Sequence, residues 1–122
     1  MFAGRSVFAQ IMDHFPVRRF HTCVGRYEGD ARIRRFSCLD QFRVMAFAQL
    51  TYRESLRDIE TCLRAMRGKL YHMGIRHCVP RNTLAKANEL RDWRIFADIA
   101  HVLIDRARTL YADEDFGLEL KD

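Results

Sequence analysis

Proline is nearly missing from this 122-residue chain, which holds only Pro16 and Pro80, and glycine is sparse at six. An all-β fold needs more of both at its turns, so the composition points to helices. No apolar run approaches the ~18 residues a membrane span requires. Asp13 and His14 interrupt the short apolar stretch near the N-terminus, and no small-residue cleavage site follows. Neither a membrane partner nor a signal peptide is expected. The four cysteines, Cys23, Cys38, Cys62 and Cys78, form no C-x-x-C pair, and read as reduced, mostly buried thiols of a cytoplasmic protein. His72, His77 and Cys78 offer a partial metal site, but no fourth ligand is evident. A Gly-rich phosphate loop is missing, as is any Ser/His/Asp grouping with a structural context. Enzyme chemistry, a small-molecule substrate and a cofactor are therefore not expected.

What the chain does have is apolar residues and arginine. Hydrophobic residues make up 48% of the sequence, enough for one domain with a modest core. The formal charge is +5, and 18 of the 21 basic residues are arginine. The charge is uneven. Residues 1–110 carry +9, whereas the last twelve, "YADEDFGLELKD", carry −4. Guanidinium groups bind phosphate oxygens in pairs, so the arginine surplus suits nucleic acid. It also fits a GC-rich coding bias, and a solvated basic face explains a surplus of this size in most proteins. The acids Asp113, Glu114 and Asp115 read as solvated tail charge.

Periodicity yields five or six helices in a single compact all-α bundle. Val7, Phe8, Ile11, Met12 and Phe15 fall at helical spacing until Pro16 stops the segment. Phe20, Cys23, Val24 and Tyr27 line one side of a second short helix. Ser37-x-x-Asp40 is a capping-box pattern that opens a helix over 37–52. Val44 to Ala48 is continuously apolar, which places this helix at the centre, with Phe42, Met45, Phe47 and Leu50 supplying core. Ser55 with Asp58 starts the next helix, with Thr51 and Glu54 as a rival start; Leu56, Ile59, Leu63 and Met66 form its apolar stripe. In the following connector Leu70, Tyr71 and Met73 are expected to turn inward, with Gly74 reversing the chain. Pro80 suits the first position of a helix that buries Leu84 and Ala87, with Ala85 and Leu90 as further candidates. Asp92 caps a long last helix. Its polar residues Arg94, Asp98, His101, Asp105 and Arg108 form one narrow stripe, leaving two faces in want of partners.

The helix over 55–67, a 13-residue connector and a short helix over 81–90 are compatible with a helix-turn-helix-like unit. An ordinary helical hairpin is the competing reading, because the connector is longer than a tight turn. The first turn of the second helix is polar and cationic. Asn82 has the amide geometry to read adenine, and Arg81 can read guanine or hold a phosphate.

Several strings resemble the N-terminal region of bacterial insertion-sequence transposases of the IS-four type. They are "FSCLDQFRVMAFAQLTYRESLRDIETCL", "KLYHMGIR" and "NTLAKANELRDWRIFADIAHVLI", with weaker likeness in "VFAQIMDHFP" and "CVGRYEGDARIRRF". The resemblance implies a helical region that binds terminal inverted repeats ahead of a ribonuclease-H-like domain. That second domain would carry an Asp-Asp-Glu triad and use Mg²⁺. No residue here corresponds to a triad acid, so the expected role is DNA binding without catalysis, in a truncated or excised front part of a transposase. Pro80 departs from the family, which commonly has a serine there.

The expected organisation is a helical DNA-binding domain over 1–110, followed by an acidic tail over 111–122. Within the domain, 1–36 holds the N-terminal helices and a basic link, 37–92 the central helix and the helix-turn-helix-like unit, and 93–110 the long last helix. The partner is double-stranded DNA in the nucleoid, contacted in the groove by Arg81, Asn82, Thr83 and Lys86. Arg53, Arg57 and Arg76 are candidates for flanking phosphates, and Arg32, Arg34 and Arg35 for a basic arm. The alternative is a module that pairs with itself, or docks on a full-length transposase and inhibits it.

Overall fold

Helix starts in this protein are set by side chains that satisfy the first free amides. In the computed structural model, which describes residues 7–76 and 78–112, Ser37 and Asp40 close the anticipated capping box. The Asp40 N–H donates to the Ser37 hydroxyl at 3.0 Å, and the Ser37 N–H to the Asp40 carboxylate at 3.1 Å. Ser55 accepts from the Asp58 N–H at 3.0 Å, so it prevails over the rival start at Thr51. Asp92 accepts from the Arg94 N–H at 3.0 Å. The helices are α1 (Val7–Met12), α2 (Val17–Arg26), α3 (Cys38–Leu50), α4 (Leu56–Ala65), α5 (Arg81–Leu90) and α6 (Trp93–Tyr111). Two 3₁₀ turns, Arg67–Lys69 and Tyr71–Met73, lie between α4 and α5. The described residues contain no strand. The sequence expectation of an all-α bundle therefore holds.

Two apolar clusters share α3. The first joins Phe8 of α1, Val44 and Phe47 of α3, Ile59 and Leu63 of α4, and Leu84 of α5, with Leu70, Met73, Ile75 and Val79 of the connector. The second joins Phe20, Cys23 and Val24 of α2 to Ile95 and Ile99 of α6, over Cys38 at the start of α3. Phe42 bridges toward α1 and α2, stacking on Phe15 at 4.5 Å and lying 5.5 Å from Phe20. Gly29 is required by this packing: a Cβ there would stand 2.5 Å from Ile95 Cδ1 and 2.9 Å from Cys38 Sγ. Burial pushes the Cys38 thiol up to about 12, with Asp30 acting in the same direction, so the thiol stays protonated and inert.

Several expected core residues lie at the surface. Leu50, Tyr71 and Leu90 are exposed. Leu50 falls in the last turn of α3, past the buried Phe47 and Ala48. Tyr71 is flanked in the 3₁₀ turns by Leu70 and Met73, which take the inward positions. Phe42 and Met45 are half-buried, and with Ala46, Gln49 and Phe96 they line a groove of about 420 Å³ beside the exposed Trp93. Pro80 stands just before α5, where its side chain caps nothing, instead of occupying the helix's first position. Asp98 pairs across helices, accepting from the Tyr27 hydroxyl at 2.7 Å and from Arg26 at 2.5 Å. The polar stripe of α6 is thus partly a junction with α2. Tyr111, grouped with the tail by sequence, ends α6; the acidic cluster from Asp113 lies outside the described residues.

Candidate nucleic-acid interface

The α4–α5 pair carries Arg57 and all four expected groove residues, Arg81, Asn82, Thr83 and Lys86. Ile59 and Leu63 of α4 pack with Leu84 of α5, and this fixes which side of α5 faces outward. Arg81, Asn82, Thr83 and Lys86 are all exposed. Asn82 and Lys86, four residues apart, share the outer face, with Glu89 behind them. Asn88 faces α3 instead, where its side-chain oxygen accepts from Gln41 at 2.8 Å.

α5 has no cap of its own. A carboxylate from α4 serves: the Arg81 N–H donates to Glu60 at 2.9 Å. Arg64 stands 3.9 Å from the same carboxylate, and the exposed Arg57 lies one turn earlier on the same face of α4. A single acid is therefore set among Arg57, Arg64 and Arg81. The sequence marks Arg64 only as an ion-pair partner of Glu60. Its signal as a contact residue is the step from Arg57 to Arg64, two turns along one face.

The remaining candidates divide. Arg76 is engaged structurally, donating to the Asp40 carboxylate at 2.7 Å and to the Arg35 carbonyl at 3.1 Å. Burial alone would raise the Asp40 carboxyl. Hydrogen bonds from Arg76 and Ser37 outweigh burial and hold it below the usual carboxylate range. Arg53 sits before α4, 3.9 Å from Asp58. Arg32, Arg34 and Arg35 are exposed along the link between α2 and α3.

That link lies against α5, a placement the sequence did not reveal. Ala31 and Ile33 share a groove of about 370 Å³ with Lys86 and Leu90. Arg91, just past α5, donates to the Phe36 carbonyl, lies 5.4 Å over the Phe36 ring and donates to Gln41 at 3.0 Å. Two arginines, Arg76 and Arg91, thus grip the link backbone at residues 35 and 36 and leave the Arg34 and Arg35 side chains exposed. Arg91 had no sequence signal as a clamp, because its partners are 50 and 55 residues away. The partial metal site of His72, His77 and Cys78 falls partly outside the described residues, because His77 is not among them; the described residues by themselves hold no group of three potential ligands.

The arrangement is an all-helical domain with a clustered basic surface. Residues 3–76 match the family described as a domain of unknown function (DUF4372), and the chain belongs to that family. The match spans α1 to α4 and most of the connector, and ends before α5. No curated protein and no solved structure matches the chain.

Proposed function

We propose that this protein binds double-stranded DNA at transposon terminal inverted repeats, as the front part of a transposase of the IS-four type and without catalysis of its own. The observation that carries the reading is the outward leading edge of α5, with Arg81, Asn82, Thr83 and Lys86 all exposed beside Arg57 and Arg64. The helix-turn-helix comparison is one of role. The connector runs from Met66 to Pro80, too long for a tight turn, so what supports it is the presentation of a helix N-terminus. The link arginines extend the basic surface along α5 and supply contacts to phosphates, which position without specifying. The working location is the bacterial nucleoid.

The test is a titration of a terminal-repeat duplex and a scrambled duplex. The wild type is expected to prefer the repeat, and Asn82→Ala to lose about 1–3 kcal/mol on the repeat alone. Equal wild-type affinity for both duplexes defeats the claim of sequence reading.

A second reading, pairing with a copy of itself or docking on full-length transposase, draws on α6. Ile104 and Leu110 of its second half are exposed. Light scattering on the purified chain separates the two: a monomer that binds duplex disfavours this one.

A further inference from the structure

Tyr52 is 89% exposed, the most exposed large hydrophobic side chain among the described residues. It also has a left-handed backbone, φ 60°. The cause is the end of α3: the Arg53 N–H donates back to the Ala48 carbonyl at 2.9 Å, closing a turn whose left-handed position is normally glycine. A bulky residue there is strained, and a ring in solvent returns no packing to offset the strain. Folding alone therefore favours glycine at this position. Arg53 follows directly, and the exposed Arg57 stands on the first turn of α4. Asp58, the neighbouring acid, is already occupied by the Glu54 N–H and by Arg53; Glu54 adds one more exposed acid to the turn.

We propose that Tyr52 is a DNA-contact residue whose ring packs on a deoxyribose between phosphates held by Arg53 and Arg57. This rests on the duplex-binding reading above. It adds a second point of contact, beyond the α5 tip, in the turn that leads into α4. The contact is made to sugar, so it is tolerant of sequence.

The experiment uses a fluorescein-labelled duplex of mixed sequence at low salt, with the full chain. Tyr52→Gly and Tyr52→Asn both accept the left-handed backbone and lack the ring. Each is expected to weaken binding by about fivefold to tenfold, the low end for aromatic contacts to nucleic acid. Their unfolding midpoints are expected to hold or rise, and Tyr52→Phe to bind as the wild type does. A wild type that binds no duplex overturns both readings. A wild type that binds, with Tyr52→Gly matching its affinity, overturns the tyrosine contact alone. A fall in the midpoint of Tyr52→Gly shows a packing role and overturns it too.

Discussion

Asp40 shows how a single side chain does two jobs here. It closes the capping box of α3 and anchors Arg76, which in turn holds the link at Arg35. Its carboxyl is depressed in the folded state. The unfolded chain therefore takes up its proton first as pH falls, and the carboxylate's contribution is present above about pH 4 and lost below it. Asp40→Ala should cost about 1–2 kcal/mol at neutral pH, from removal of the cap and the ion pair. Chemical denaturation of wild type and variant as the pH is lowered checks both points. The gap should narrow as the solution drops through the folded-state titration, and a constant gap refutes the linkage. The capping role was legible in Ser37-x-x-Asp40. The pairing with Arg76 was not, because it closes over 36 residues.

At the scale of elements, α4 and α5 meet through an apolar seam and one polar contact, Glu60 to the Arg81 N–H. The carboxylate stabilises the positive end of α5 and at the same time repels phosphate from it. The two properties should separate in Glu60→Gln. Thermal unfolding is expected to show a loss of about 0.3–1 kcal/mol, while duplex affinity rises. Affinity that drops along with stability would mean that the α5 tip does not face DNA. The start of α4 and the buried Leu84 and Ala87 were legible in the sequence, because caps and periodicity are local. Leu90 and Leu50 were not, since the ends of helices pass beyond the core that the stripe predicts.

For the whole molecule, the basic surface is assembled from separate parts of the chain. The link carries Arg32, Arg34 and Arg35, α4 carries Arg57 and Arg64, and α5 carries Arg81 and Lys86. If the link shares the duplex with α5, replacing Arg34 and Arg35 with Gln should lower affinity for repeat and scrambled duplexes alike. The slope of log affinity against log salt should then flatten by about one for each phosphate that is no longer neutralised. An unchanged slope would place the link away from DNA. Arg91 is expected to act through the link, as the residue that holds Phe36 against α5.

The sequence by itself determined the all-α class, the caps at Ser37, Ser55 and Asp92, the buried stripe of α4 and the polar front of α5. Each of these is written in neighbours no more than a few residues apart, within reach of helical geometry. Only the tertiary structure decided that the basic link lies along α5, that Glu60 caps a helix not its own, and that Asp98 faces α2. Those outcomes depend on side chains tens of residues apart meeting once α3 has gathered two apolar clusters around itself, and a local pattern carries no record of such meetings.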